Sequence, residues 1–109
     1  MRRGDLVTVA LTGDYGKPRP AVIVQTDALS DTHASIIVCP LTSATTDAPE
    51  FRISVEPNAA NGLRVRSQIM ADKPVTVRRD RIGMRIGQLD IDEMARFNTA
   101  LAFVMGLAG

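Results

Sequence analysis

Short runs in which apolar and polar residues alternate recur through residue 77, and this period of two is the feature that most constrains the fold. Such a period places successive side chains on opposite faces of a β-strand. One run, 35–39, is instead continuously apolar, which is typical of a short strand buried on both faces. The pattern predicts strands in six segments: 5–11, 21–25, 35–39, 51–55, 63–70 and 75–77.

From Asp90 onwards the apolar residues recur at intervals of three and four, the period of an amphipathic helix. Asp90 and Glu93 have the spacing of a capping box, in which each side chain bonds to the other residue's backbone N–H. No glycine or proline interrupts the pattern before Gly106, a residue type that commonly ends helices. The expected apolar stripe comprises Met94, Phe97, Leu101, Val104 and Met105. We therefore expect one mainly β domain over residues 1–109, a small and partly open barrel with a C-terminal helix packed on it.

Several kinds of site are excluded by the scarcity of cysteine and histidine. Cys39 is the only cysteine, so the chain has no internal disulfide and no zinc site built from several cysteines. His33 is the only histidine, which excludes a ribonuclease that uses a pair of them. We expect Cys39 to fill space in the core and His33 to lie on the surface. Asp27 and Asp31 offer carboxylates for Mg²⁺, but a polar loop explains them better, and we expect neither a metal nor another cofactor.

Nothing in the sequence points to a membrane. No apolar stretch approaches the roughly 20 residues that span a bilayer. The two arginines at the N-terminus are not followed by the apolar segment of a signal peptide. We expect a cytoplasmic protein without a membrane partner.

Basic residues are concentrated in segment 64–85, although the net charge of the whole chain is only +1. The segment has seven basic and two acidic residues, a balance of +5, and six of the seven are arginines, whose planar fork suits phosphate. Two interpretations stay open at this point: a solvated face, and a stripe that binds a polyanion. Arg64, Arg66 and Gln68 share one face of the predicted strand 63–70, and a solvated position explains Arg64 equally well.

Polar side chains stand at the ends of two predicted strands. Arg19 lies between two prolines, which restrict their own backbone and that of the residue before them, so the backbone of Arg19 is held extended. Thr42 and Ser43 follow the apolar run 35–39. A guanidinium and two hydroxyls suit a phosphodiester, although ordinary loop chemistry accounts for the same residues.

Five segments, in family order, resemble the MazF/PemK family of bacterial toxins, the ribonuclease halves of type II toxin–antitoxin pairs. Together they extend over nearly all of the chain. The first contains Arg-Gly-Asp, the second Arg-Pro, the third Pro-Leu-Thr-Ser and the fourth Gln-Ile followed by Asp-Lys. The segments are 3–7, 19–25, 38–43, 67–73 and a closing pattern within 81–101.

The resemblance implies an SH3-like barrel with a C-terminal helix, a fold shared with CcdB-like toxins, and a homodimer. It implies metal-independent cleavage of single-stranded RNA, including mRNA, at short sequence motifs. The RNA's own 2′-hydroxyl would attack, leaving a cyclic phosphate and a 5′-hydroxyl, and translation and growth would stop until a cognate antitoxin covers the RNA groove with a flexible, acidic tail.

By the same resemblance the family's catalytic arginine falls on Arg19 and its catalytic hydroxyl on Thr42. A guanidinium stays protonated in proteins, so Arg19 is expected to stabilise charge and the acceptor of the proton is left open. The further residues predicted to contact RNA are Lys17, Ser43, Arg66 and Gln68.

The sequence also departs from the family pattern. Ser67 stands where many relatives have an acidic residue, and the loop 12–18, which in the family helps to select the RNA sequence, is short. Two alternatives remain. A gyrase poison of the same fold is disfavoured because the chain has no tryptophan. An inactive regulatory member is disfavoured, weakly, by the presence of Arg19 and Thr42.

Overall fold

A computed structural model of the chain describes residues 1–11, 17–29 and 31–107. These residues form seven β-strands, a single turn of 3₁₀-helix at Arg79–Arg81 and one α-helix, α1, at Ile91–Val104. The strands, in chain order, are β1 Asp5–Ala10, β2 Pro18–Ile23, β3 Ser35–Thr42, β4 Arg52–Val55, β5 Ser67–Met70, β6 Val75–Arg78 and β7 Ile82–Gln88.

The strands are joined edge to edge in the order β4-β5-β3-β2-β1-β7, and every paired neighbour is antiparallel. The strand β6 lies off this path and also pairs with β3. Thus β3 pairs with β6 over residues 35–38, with β2 over 38–40 and with β5 over 41–42. This curled, mostly antiparallel sheet with one C-terminal helix confirms the predicted fold class.

All six predicted strands are present, with shifted bounds. The strand β3 runs past its predicted end to Thr42, through Pro40. Pro40 lies between the residues that pair with β6 and those that pair with β5, so the strand changes partners at the residue that has no N–H to donate. The strand β5 begins only at Ser67, which leaves 63–66 as irregular chain.

The prediction that 75–77 is the last strand is wrong, because β7 follows it. Gly83 and Gly87 stand between the alternating apolar residues of β7, and because glycine is depleted in strands they hid this strand from sequence analysis. A Cβ at Gly87 would collide with the carbonyl oxygen of Ala60 and the backbone of Asn61. Glycine is therefore required where β7 passes the turn before residue 62.

Two buried apolar clusters lie on opposite faces of the sheet. Leu6, Val22 and Cys39 are neighbours across three strands and pack, with others, against Phe97 of α1. The other face buries Val7, Val9, Ala21, Ile23, Ile36 and Val38. The expected role of Cys39 as core filler is confirmed, since its side chain is fully buried. Burial, and secondarily the charge of Asp72, raises the pKa of the Cys39 thiol to about 12, and the positive charge of Arg3 has a smaller, opposite effect. The thiol therefore stays neutral and unreactive.

The helix α1 begins as predicted. The Asp90 carboxylate accepts from the Glu93 N–H at 2.7 Å, and the Glu93 carboxylate accepts from the Asp90 N–H at 2.9 Å. Gly106, with a φ of 73°, follows the helix as expected. Of the predicted stripe, Phe97 and Leu101 are buried but Met105 is exposed. No helix in the described ranges is long and apolar enough to cross a bilayer.

We predict that Asp90→Ala lowers the stability of the fold by about 1 kcal/mol, because the substitution removes one half of the capping box. For a chain of this length that corresponds to a fall of about 4–8 °C in melting temperature. The matched control is Asp92→Ala, which removes an exposed first-turn carboxylate whose partner is Arg96. Thermal unfolding followed by circular dichroism measures both, and equal melting temperatures for the two variants would contradict the capping role.

Candidate active site

A groove of about 840 Å³ opens where β2 begins and β3 ends. Its lining includes Arg19, Thr42 and Ser43, which the sequence had placed at strand ends, and also Arg64. The groove therefore brings together three of the six residues predicted to act on RNA.

The register of the sheet explains why Arg19 and Thr42 meet. The β2–β3 ladder pairs Ile23 with Val38 and Ala21 with Pro40. Arg19 and Thr42 lie two residues beyond the last pair of this ladder, one on each strand, and both line the groove. On its other edge Arg19 pairs with Val9 of β1, so its backbone is held in the sheet while the residue is exposed.

The hydroxyl of Thr42 is oriented by the turn that follows β3. The Ala44 N–H donates to Thr42 Oγ1 at 3.1 Å. Because that bond uses a lone pair of the oxygen, the hydroxyl hydrogen can still be donated to a ligand. Ser43, exposed and next in the chain, adds a second hydroxyl to the same wall of the groove.

Gln68 does not lie in the groove as the sequence suggested. It is 6% exposed and its amide is engaged by a single backbone residue. Gln68 Oε1 accepts from the Thr46 N–H at 3.0 Å, and Gln68 Nε2 donates to the Thr46 carbonyl at 2.9 Å. The amide thus fastens the 43–46 turn to β5. In the structure, Gln68 therefore holds the chain that follows Thr42 and Ser43.

The two arginines before β5 diverge, against the prediction that Arg66 faces the RNA. Arg66 Nε lies 2.7 Å from Glu56, and its guanidinium also reaches the Ser54 hydroxyl at 3.4 Å. The groove lining contains Arg64 and does not contain Arg66. Because the chain at 63–66 is irregular, the alternation that had put both side chains on one face does not hold.

Lys17 is exposed and lies directly before β2. It is not among the described residues that line the groove. Residues 12–16 of the predicted loop 12–18 lie outside the described part of the chain. His33 is exposed, as expected.

The basic segment 64–85 does not form one stripe. Arg79 donates to the His33 carbonyl, and only Arg64 of the seven basic residues lines the groove. Three others pair with carboxylates: Arg66 with Glu56, Arg78 with Asp80 and Arg85 with Asp5. Much of the segment is therefore a solvated, ion-paired surface, and the groove draws on only part of its charge.

Besides the polar strand ends, the lining of the groove includes an apolar wall that sequence analysis missed. This apolar wall consists of Leu63, Val65, Met84 and Ile86. Its first half follows a turn held by buried Asn61, whose Oδ1 accepts from the Leu63 N–H at 3.0 Å and whose Nδ2 donates to the Glu56 carbonyl at 2.8 Å. Its second half belongs to β7, and the alternation of Ile82, Met84 and Ile86 was the available signal.

Asp27, considered above as a ligand for Mg²⁺, is engaged in the fold. Its carboxylate accepts from the Arg3 N–H at 2.7 Å and lies 3.6 Å from the Arg2 guanidinium. Within residues 1–11, 17–29 and 31–107, no three His, Cys, Asp or Glu side chains are grouped so that they could hold a metal ion.

Comparison with known proteins adds three findings. The family described as "PemK-like, MazF-like toxin of type II toxin-antitoxin system" matches residues 2–105. A protein of Mycolicibacterium smegmatis named "Probable endoribonuclease MazF" is 46% identical over 110 residues, which cover all of both chains. A solved structure of an endoribonuclease in complex with its cognate antitoxin, from a mycobacterial species, superposes with a TM-score of 0.83 at 25% identity, covering 100% of this chain and 98% of that one.

A MazE–MazF crystal structure from Deinococcus radiodurans has a TM-score of 0.79 and 22% identity, covering 99% of this chain and 97% of that chain. At that identity the similarity shows the fold alone. The fold is the one that the barrel and C-terminal helix had indicated.

We predict that Gln68→Met, which keeps the length of the side chain but removes its amide, frees the 43–46 turn. Loss of the bonds to Thr46 should cost about 1 kcal/mol, since the exposed Thr46 backbone can bind water instead. Hydrogen exchange of the Thr46 amide should become at least about tenfold faster. The control is Gln88→Met at an exposed position, where exchange at Thr46 should not change. Unchanged protection of Thr46 in Gln68→Met would rule out this role.

Proposed function

The chain belongs to the family of PemK-like, MazF-like toxins of type II toxin–antitoxin systems, and from that premise we propose that its groove binds single-stranded RNA and that Arg19 and Thr42 cut it. The chain is an endoribonuclease toxin. The proposal adds where and how the cut is made, and its product ends: a cyclic phosphate and a 5′-hydroxyl.

One observation carries the assignment of the site. Arg19 and Thr42 come from different strands, and the β2–β3 register brings them to one groove. Residues distant in sequence and adjacent in the fold, with a charged fork and a hydroxyl aimed at the same space, suit a phosphodiester. Arg64 in the same lining adds a second cation and takes the place that the sequence had given to Arg66.

The chemistry follows from what RNA itself supplies. The 2′-hydroxyl oxygen attacks the adjacent phosphorus, the bond from phosphorus to the 5′-oxygen breaks, and the 5′-oxygen leaves with a proton as a hydroxyl. Negative charge grows on the non-bridging oxygens as the attack proceeds. The Arg19 guanidinium stabilises this charge by donating charge-assisted hydrogen bonds, and the Thr42 hydroxyl donates one neutral bond. The group that accepts the proton of the 2′-hydroxyl is left open.

Lys17 and Ser43 remain proposed RNA contacts. Ser43 lines the groove next to Thr42, and Lys17 adds a positive charge at the residue before β2 begins. As a point charge at the rim, Lys17 contributes to attraction of the phosphate backbone more than to its orientation.

An antitoxin is the protein partner, and we propose that it neutralises the toxin by laying an acidic, flexible segment in the same groove. The support is the charge of the groove lining, where Arg19 and Arg64 offer partners for carboxylates. Growth in the cytoplasm is restored when this segment excludes RNA.

Cleavage of one defined RNA by the purified protein, in excess EDTA, tests the proposal. Wild type should cut, because no ligand cluster for a metal is present among the described residues. Arg19→Ala should lose on the order of 10²–10³ in rate, the usual effect of removing one such donor. Thr42→Ala should lose about tenfold, since only one neutral hydrogen bond is removed. Arg19→Lys should rescue poorly, because lysine keeps the charge without the fork.

Arg66→Ala is the matched control, since it removes the same charge from an arginine that is paired with Glu56 outside the groove. Melting curves recorded for every variant separate catalytic loss from unfolding. Activity that EDTA abolishes and Mg²⁺ restores would overturn the mechanism, and normal cutting by a folded Arg19→Ala would overturn the site. A folded wild type that cuts no RNA would identify the chain as an inactive regulatory member.

We also propose that the chain is a homodimer, as the family resemblance implies. The shallow groove that Ala95 and Phe103 of α1 line has exposed apolar surface available for association. Light scattering at micromolar concentration should give about twice the chain mass of 11.8 kDa. A mass of one chain across that range would exclude the dimer.

A further inference from the structure

The groove has two walls of different chemistry. One wall, at the ends of β2 and β3, presents the Arg19 guanidinium and the hydroxyls of Thr42 and Ser43. The other is the apolar wall, Leu63, Val65, Met84 and Ile86. Two members of that wall are exposed: Val65 at 55% and Met84 at 66%. Because they lie with Leu63 and Ile86 in the lining of one groove, they form an exposed apolar patch of the kind that marks a binding site.

A single strand of RNA has the same two-sided character. Its phosphates lie along one side, and its unstacked bases offer flat, weakly polar faces on the other. When a phosphate sits against Arg19 and Thr42, the neighbouring base enters the same groove, whose lining includes the apolar wall. We infer that the apolar wall binds nucleobases, and that Val65 and Met84 determine which base is accepted beside the cleaved phosphate. This inference rests on the proposed function.

The kind of contact follows from the side chains. No residue that lines the groove in the described ranges is aromatic, so base binding there does not depend on the ring stacking found at many RNA-binding surfaces. Met84 offers a flexible, polarizable thioether that adapts to a base face. Val65 is short and branched, and it follows a turn that Asn61 holds in place. A flexible contact and a short, branched one in the same wall select bases by size and shape.

The apolar wall is continuous with the proposed catalytic residues, and this favours RNA over a protein partner as its primary occupant. The same lining that holds Leu63 and Met84 holds Arg19 and Thr42. A second copy of the chain seated on this wall would fill the space beside the cleaved phosphate. An antitoxin bound there would act by excluding the base.

The test compares Met84→Gln, Val65→Thr and a control, Met105→Gln. The first two keep the approximate shape of the side chain and add polarity. Met105 has a similar exposure, 55%, and lies after α1 outside the groove, so its substitution matches that of Met84 in chemistry. Each protein is incubated with a pool of random RNA, and the cleavage positions are mapped. Rates are then measured on the RNA that wild type prefers.

We expect Met84→Gln and Val65→Thr to lower kcat/KM about tenfold and to change the base preference at one position beside the cut. Met105→Gln should match wild type in rate and preference. Replacing the base at that position with an abasic residue should slow cleavage by wild type. The same replacement should change the cleavage rate of Met84→Gln little, because this variant has already lost the contact with the base. Melting curves for all four proteins identify any variant that has failed to fold.

The inference is overturned if Met84→Gln and Val65→Thr both fold and both keep the base preference of wild type. If, in addition, these variants no longer bind the antitoxin, the wall is assigned to the antitoxin. Failure of wild type to cut any RNA is a failure of the proposed function instead. In that case the anisotropy of a labelled RNA still tests the wall, because binding should weaken with an abasic residue in wild type and not in Met84→Gln.

Discussion

The antiparallel register between β2 and β3 is the constraint on which the rest of the structure depends. The strand β3 is shared among β2, β5 and β6, so it links the segments on both sides of the fold. A slip of one residue in a ladder moves every side chain to the other face. Such a slip would move Val22 or Cys39 out of the cluster that packs against α1 and into the cluster on the other face, and would shift Arg19 relative to Thr42. The core and the groove therefore depend on the same register.

Most polar residues in the family-like segments maintain the fold, and few face the groove. Asp5 is buried and accepts from the Arg2 N–H and the Arg85 guanidinium. Asp72 pairs with Arg52 at 3.1 Å, and Gln68 fastens the turn after β3. Each is a polar side chain whose recorded partners lie within the protein. A motif that identifies a family is thus a poor guide to which of its residues line the groove.

The sequence predicted the six strands, the capped helix and the pair Arg19 and Thr42, because these depend on local signals. Alternation, proline and the capping box act within a few residues, and the pair follows from strand ends and the family resemblance. The strand β7 was missed because Gly83 and Gly87 weaken its strand signal, and at Gly87 glycine is needed by a turn distant in the sequence. The groove lining lacks Arg66, whose expected position assumed a strand from residue 63. The chain is irregular until Ser67, and periodicity does not reveal where a partner strand begins.

The proposed chemistry explains why so small a set of polar groups is enough. RNA carries its nucleophile, so the protein needs only to hold the phosphate in line and to stabilise the charge that develops on it. Donors do this well when they are already in place before the substrate arrives, which requires a rigid support. Arg19 has that support from β1, where it pairs with Val9, while the turn bearing Ser43 is fastened by Gln68. In the proposed mechanism the paired strands and the amide clamp therefore matter to catalysis together with the guanidinium.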